Sequence, residues 1–512
     1  MGGYGLKSIQ WASDLAVIAL RYSARPAVVD KHGTTSYAAL FAKAAGVGQA
    51  VMKAGVRPGD AVAILLRNSA DAVAATFGVM MSGAVEVPLN PALGTAERIH
   101  CLVVSGARIV ITSAGLADDL VGCDCTVLDI TGIADAPLDP RAFPAVAGAA
   151  PSRVVFTSGT TGLPKGAVHS HHGRWTANIL LQANLPFRPD AGSCVLLMTP
   201  YSHGSSLMTH AYLSSGASVI LLDGVDTPTV LDILARGACD AMFAPPTVLA
   251  KIVAAAGEQR FTSLRTIYCG TAVLKPTLYA RARAIFGPVV RVTYGKSEVF
   301  NPITVLEAEE TEAWYGGGGD DACVGWPAPG VEIAIRGEDG TPVQAGHTGE
   351  VAIRAQHLMT GYRTAAGFAP LGPDDYHDTG DLGYVDARGR LHLTGRTADV
   401  IKSGGYKVTP EEVERALAPA LQPSEVAVVG IPSDYWGEVI LAAIERPAAG
   451  WEARLAPALQ AMTDYKRPRL MIALDELPRN GIGKILRGAI RTDVLSRFRL
   501  TEGPRPRLEK RD

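Results

Sequence analysis

The stretch "VVFTSGTTGLPKGAVHSHHGRW", residues 154–175, decides how the rest of the chain is read. An apolar, strand-like run gives way to a segment dominated by Gly, Thr and Ser that ends in Pro and Lys, after which a helical pattern begins. The hydroxyls of Thr157, Ser158, Thr160 and Thr161 and the backbone N–H groups between them form a ready anion cradle. Gly159, Gly162 and Gly166 let the backbone approach an anion closely, and Lys165 adds a positive charge. The expectation is a phosphate-holding loop that joins a strand to a helix. It is not the usual P-loop, which requires Gly-Lys-Ser/Thr where this chain has Pro164. An ordinary turn would not need this density of hydroxyls, glycines and charge.

The surrounding chain is that of a large globular protein. Its 512 residues are 47% hydrophobic and 19% charged, enough for a sizeable core and for more than one domain. A net charge of −2 gives no reason to expect nucleic acid or acidic lipid as a partner. Seven cysteines without a metal-binding spacing argue for a reduced protein, and no apolar run approaches a membrane span. With no signal peptide evident, the expected location is the cytoplasm. Residues 24–150 alternate apolar runs ("PAVVD", "DAVAILL", "AVEVPL", "RIVIT") with helix-length stretches, and the rhythm resumes after the quoted loop through "CVLLMT", "SVILL", "DAMFAPP", "RTIYCG" and "VVRVTYG". That is the pattern of βα units around mostly parallel sheets. A Gly-rich, strand-rich section follows around 310–347. Near 395 a smaller α+β section begins, with Thr409 as a helix N-cap and Pro410 at the first helical position. The expected domains are 1–395 and 396–512, the last stretch, "TEGPRPRLEKRD", being a frayed tail.

Four further segments carry chemistry. "YGKSE" (294–298) places an aromatic ring and Glu298 at a strand end; "HDTGDLG" (377–383) offers Asp381 in a tight turn as an acceptor for a sugar diol. "GRTADVIKSGGYKVTPEEVE" (395–414) is basic and flexible at the domain boundary, and "PRNGIGKILR" (478–487) sets Lys484 on a Gly-rich turn leading into a helix. Taken with the opening loop, these segments resemble, in order and spacing, the adenylate-forming superfamily of acyl-CoA synthetases, peptide-synthetase adenylation domains and firefly luciferase. The resemblance runs from about residue 24 to 490 and includes "GVRPGDAVAILLRNS" and "GAVEVPLNP".

The resemblance implies a large N-terminal domain of two α/β sheets plus a β-barrel subdomain, with a small mobile α+β C-terminal domain. It implies an ATP-dependent acid–CoA ligase that makes an acyl-AMP and then an acyl-CoA, using ATP, Mg²⁺ and coenzyme A. The opening loop (Thr157, Ser158, Gly159, Thr160, Thr161, Gly162 and Lys165) would hold the β- and γ-phosphates. Gly270, Thr271 and Ala272 with Tyr294, Gly295 and Ser297 would border the adenylate, Asp381 would bind the ribose with Arg396 close by, and Glu298 would ligate Mg²⁺. Lys484 would bridge the carboxylate and the α-phosphate. In the thioester step Lys402 would belong to the incoming face, and Gly404 and Gly405 would admit the phosphopantetheine arm.

Other readings stand beside these. His169 and His172 would share a helix face without a third metal ligand, which favours a solvated or capping role. His203, in "TPYSHGSSL", matches the family's acyl-pocket gate. Lys296 stands at a usually neutral position beside the acyl pocket, where it would pair with a polar or anionic substrate group, touch the adenylate, or extend to solvent. Ala398 occupies the hinge position, where relatives carry a charge, which raises specialisation in the thioester half-reaction as an alternative. A separate carrier protein's phosphopantetheine is the alternative acceptor to free CoA, and a homodimer is one option for assembly. The Ala, Arg and Gly bias fits a high-GC bacterium.

Overall fold

Runs such as "AVAIL" and "CVLL" lack the polar alternation of a half-exposed strand, and they become strands covered on both faces. The computed structural model describes residues 8–120, 122–157, 164–372, 375–479 and 484–511, and within them every side chain but those at 119 and 203. The chain divides into two compact units, Met1–Ile333 with Ile353–His377, and Ala334–Ala352 with Asp378–Asp512.

The first unit carries two sheets. One runs in the order Gly367–Pro370, Gly361–Thr364, Lys165–Ser170, Pro151–Thr157, Val85–Pro88, Ala61–Leu65, Ile109–Thr112 and Thr126–Asp129. Its last five strands are parallel and its first four pair antiparallel. In the other, Val290–Tyr294, Thr266–Cys269, Ala241–Phe243, Cys194–Leu197, Ser218–Leu221 and Pro26–Asp30 form a continuous parallel run. The helices Tyr37–Lys53 and Ala70–Met81 contribute to the unit's main core, where the Phe41 and Phe77 rings stack at 5.5 Å. These helices pack closely because Gly78 is small: a Cβ there would fall 2.7 Å from the carbonyl oxygen of Ala44.

In the second unit, Tyr406–Val408, Ile401–Ser403, Gly437–Glu445 and Val426–Ser433 lie in that order in one sheet, and Leu470–Leu474 pairs with Gly437–Glu445. Alternation along "VAVV" sends Val426 and Val428 to the face covered by Pro410–Leu421 and Trp451–Ala461. Ala427 and Val429 go to the opposite face, against Ile490 and Val494 of the helix Arg487–Arg497. Thr409 precedes its helix, but its side chain makes no capping hydrogen bond. The expected frayed tail is ordered instead. Phe498–Leu500 and Leu508–Lys510 form a hairpin, and the Glu502 carboxylate accepts from the Ser433 hydroxyl at 2.6 Å and the Asp434 N–H at 3.1 Å. Apolar Leu500 and Leu508, spaced among the charges, anchor it to the core. No described helix is long and apolar enough to cross a membrane.

Candidate functional site

The opening loop does not lead directly into a helix. Lys165–Ser170 is a second strand, antiparallel to Pro151–Thr157, with Lys165 opposite Thr157 and Gly166 opposite Phe156; the helix starts at His171. Small and β-branched residues let "GAVHS" run buried between two neighbouring strands, which take up its backbone hydrogen bonds. Gly166 is required by this packing, because a Cβ there would lie 2.5 Å from Val154 Cγ1. Ser158, Gly159, Thr160, Thr161 and Gly162 lie outside the described residues. The two ends of the loop are placed: the Thr157 hydroxyl donates to the Lys165 carbonyl at 3.4 Å, and the exposed Lys165 ammonium stands 6.0 Å from the centroid of the Tyr362 ring.

Tyr362 links this hairpin to Glu298. Its hydroxyl donates to Glu298 Oε1 at 2.8 Å, and burial followed by the Glu298 charge raises the phenol pKa, keeping it a donor. The backbone around Glu298 is held from both sides. His169 Nε2 meets the Ser297 carbonyl at 2.7 Å while its ring stacks on Phe300 at 3.7 Å, and the Met359 N–H donates to the Glu298 carbonyl at 2.9 Å. His169 therefore lies on a strand and His172 on the following helix, so the two share no helix face. Burial lowers His169 to about 3 and His171 to about 4, which keeps both rings neutral near pH 7.

Gly270, Thr271 and Ala272 follow the strand Thr266–Cys269, and Gly295 follows Val290–Tyr294. These strands are parallel neighbours, so both segments leave from carboxyl ends, where α/β sheets bind their ligands. Thr271 adopts φ of 68°, a costly conformation for a β-branched residue and one that clusters at binding sites. Lys296 is half-buried, with its N–H on the Val299 carbonyl at 3.2 Å. Tyr201–Ser205 forms a π-helical turn, a distortion frequent at functional sites; the His203 side chain it carries lies outside the described residues. A cavity of about 20 Å³, room for little more than one water, lies among Met208, Phe243, Tyr268, Thr293 and Asn301.

Sequence reading missed a buried charge cluster under this turn. Glu86 takes the Arg174 guanidinium at 2.7 Å and lies 3.7 Å from Arg153, all three being nearly inaccessible to solvent. Burial alone would raise the Glu86 pKa, but the two guanidiniums and the Thr76 hydroxyl hold it below the usual carboxylate range. Arg153 also donates to the Ser206 hydroxyl at 2.9 Å and the Ser202 carbonyl at 3.2 Å. Tyr362 was missed as well; a lone tyrosine far along the chain from Glu298 has no local pattern to announce it.

In the second unit Asp381 lies within the strand His377–Val385 rather than in a tight turn; the sharp backbone point is Gly380, with φ of 69°. The antiparallel register sets Asp381 opposite Arg396, and their side chains meet at 3.0 Å. Ala398 sits in the single-turn helix Thr397–Asp399. Lys402 is exposed on Ile401–Ser403, and Gly404 and Gly405 make the two-residue turn to Tyr406–Val408. Positive φ at both glycines, 57° and 84°, is what such a hairpin turn demands. Lys484 is half-buried just before the bridge that pairs Ile485 with Arg479.

Comparison with known proteins agrees with this layout. The AMP-binding enzyme family matches residues 15–363, and the AMP-binding enzyme C-terminal domain matches 412–484. A feruloyl-CoA synthase from an Amycolatopsis species is 31% identical, over 90% of this chain and 94% of that protein. A 2-succinylbenzoate–CoA ligase from Geobacillus kaustophilus is 30% identical, with the same coverage of 90% and 94%. The solved o-succinylbenzoate CoA synthetase from Bacillus subtilis, in complex with its acyl-adenylate intermediate, superposes with a TM-score of 0.81 at 26% identity, over 95% of this chain and 99% of that one. A match across both the strand-end crevice and the Lys484 segment leaves one assignment: the chain belongs to the AMP-binding enzyme family.

Proposed function

We propose that the protein is an AMP-forming acid–CoA ligase that joins a hydrophobic carboxylic acid to coenzyme A. The observation that carries the reading is the convergence, through Tyr362, of the hydroxyl-rich loop's two ends with the Glu298 carboxylate. A carboxylate is a poor acyl donor. Its oxygen attacks the α-phosphorus of ATP, pyrophosphate leaves, and the mixed anhydride that results has a reactive carbonyl. The thiol sulfur of CoA then forms the thioester bond, giving up its proton as AMP departs.

Each residue has a proposed task. The loop hydroxyls and Lys165 hold the departing pyrophosphate portion. Gly270, Thr271, Ala272, Tyr294, Gly295 and Ser297 border the adenylate, and Asp381, oriented by Arg396, accepts from the ribose hydroxyls. Glu298 suits magnesium: it presents a carboxylate, and no closed set of three acidic, His or Cys ligands exists among the described residues. That donor set matches an ion held largely by phosphate oxygens and water. When bound, the ion would screen the triphosphate charge. Lys484 offsets the repulsion between carboxylate and α-phosphate. His203 and Lys296 border the acid, Ala398 is the hinge between segments 1–395 and 396–512, and Lys402 with Gly404 and Gly405 serves the thioester step. Free CoA is the proposed acceptor and the cytoplasm of a bacterium the proposed setting.

The test separates the half-reactions. Lys484→Ala is expected to lower pyrophosphate release by about 10²–10³, the scale of losing one preorganised electrostatic contact, while thioester formation from a synthetic acyl-adenylate and CoA persists. Equal loss in both assays, or loss in neither, refutes the assignment of Lys484.

A further inference from the structure

The helix Arg487–Arg497 starts three residues after Lys484 and packs Ile490 and Val494 onto the strand Val426–Ser433, the last strand in the order of its sheet. An edge strand leaves carbonyls without a ladder partner. Two arginines one turn apart on the helix take two of them. Arg487 Nε donates to the Val428 carbonyl at 3.2 Å, and Arg491 Nε donates to the Gly430 carbonyl at 2.7 Å. The spacing matches, because four residues of helix advance about 6 Å and two residues of strand about 6.6–6.8 Å.

From this shared footing the two guanidiniums serve different segments. Arg487 meets Glu414 at 2.8 Å and Glu411 at 2.9 Å, both on the helix Pro410–Leu421, and Asp399 at 3.3 Å. Asp399 directly follows the proposed hinge residue Ala398, so one side chain ties the chain behind Lys484 to the first residue past the pivot. The base of the Lys484 turn is fixed on its other side as well. Arg479 pairs through its backbone with Ile485 and through its guanidinium with Glu425, and the Leu486 N–H donates to the Pro478 carbonyl at 2.8 Å. A lysine that ends a Gly-rich turn takes its position from the base of that turn. Arg491 works elsewhere: it donates to one oxygen of Glu438, and the other oxygen accepts the Lys402 N–H at 2.9 Å.

We infer that Arg487 and Arg491 are positioning residues for separate half-reactions. Arg487 sets Lys484 for acyl-adenylate formation, and Arg491, through Glu438, sets the Lys402 strand for thioester formation. One helix thus frames both sets of groups, and a guanidinium fork suits the task because it can hold a carbonyl and carboxylates at once. The inference rests on the ligase reading and deepens it.

The test measures both half-reactions of the full-length protein. Phenylpropanoic, octanoic and cyclohexanecarboxylic acids are each offered with ATP and Mg²⁺ for pyrophosphate release, and their synthetic acyl-adenylates with CoA for thioester formation. Arg487→Met is expected to lower kcat for pyrophosphate release roughly ten- to a hundredfold, with KM for MgATP unchanged and thioester formation within about threefold of the parent protein. Arg491→Met, at a more exposed pair, is expected to lower thioester formation roughly five- to thirtyfold and leave pyrophosphate release within about threefold. In a Lys484→Ala background, Arg487→Met should lower pyrophosphate release by no more than about twofold, because its effect runs through Lys484. Far-UV circular dichroism and the unfolding midpoint check that the variants fold. Arg487→Lys and Arg491→Lys keep the charge without the fork, and should show the same crossed pattern at smaller size; they decide the matter where a Met variant does not fold. Loss in both assays, loss in neither, or an undiminished effect of Arg487→Met beside Lys484→Ala overturns the inference while an active parent protein leaves the ligase reading standing. A parent protein inactive in both assays overturns that reading and the inference with it.

Discussion

Glu411 should make the protein less stable as pH rises through neutrality. Its carboxylate shares Arg487 with two others: Arg487 lies 2.9 Å from Glu411, 2.8 Å from Glu414 and 3.3 Å from Asp399. One guanidinium cannot neutralise three anions. Burial, with the Glu414 and Asp399 charges, outweighs Arg487 and raises the Glu411 pKa from 4.5 to about 7. Its Oε2 is buried without a hydrogen-bond partner among the described residues, beside Gly395, where a Cβ would come within 2.7 Å. The folded protein thus keeps a proton that the unfolded chain releases at lower pH. The resulting stabilisation is complete below pH 4.5 and is lost as pH rises through about 7. The gap between those values corresponds to roughly 3 kcal/mol, an upper figure because the side chain is 25% exposed. Glu411→Gln mimics the protonated form at every pH. In urea unfolding from about pH 5 to about pH 8, the variant should gain up to roughly 3 kcal/mol over the parent protein with rising pH. Taking the difference between the two proteins cancels every other titrating group. A flat difference across that range would refute the reasoning.

Two further outcomes follow from the first unit. Glu86→Gln leaves Arg153 and Arg174 buried without their counter-charge and should cost about 3–5 kcal/mol in urea unfolding; a cost under about 1 kcal/mol would show that water reaches the cluster. Tyr362→Phe removes the 2.8 Å hydrogen bond to Glu298 and should raise the KM for MgATP roughly five- to tenfold while leaving that of the acid unchanged; an equal rise for both substrates would assign Tyr362 to general packing.

How much of this was legible in the sequence depended on distance along the chain. The parallel strands were readable because strands covered on both faces must be apolar throughout, as "AVAIL" and "CVLL" are. The site residues were readable because they cluster at strand ends and turns, where Gly, Thr and charge interrupt those runs. The course of the chain after the opening loop was not. "GAVHSHHGRW" has a helix-like texture, and only the strands Pro151–Thr157 and Gly361–Thr364 on either side hold its first half extended. The tail misled for a related reason: its charges suggest solvent, but Glu502 finds three donors at Ser433, Asp434 and Tyr435.

The buried charges were illegible for a deeper reason, and it bears on how the site works. Glu86, Arg153 and Arg174 come from a parallel strand, the strand leading into the hydroxyl-rich loop, and the helix that follows the hairpin. No periodicity links them, and each taken singly looks like a flaw in an apolar element. Together they hold one positive charge more than they neutralise, buried beneath the turn Tyr201–Ser205. Arg153 directs its remaining donors to the Ser202 carbonyl within that turn and to the Ser206 hydroxyl just after it. Hydrophobic packing at the same place would hold the strand and helix together but would not set the turn's rotation, because dispersion has little directionality. Hydrogen bonds from a fixed guanidinium do set it. The strand that ends in the proposed phosphate loop therefore also orients the turn proposed to gate the acid, and one rigid arginine couples the placement of the two reacting partners.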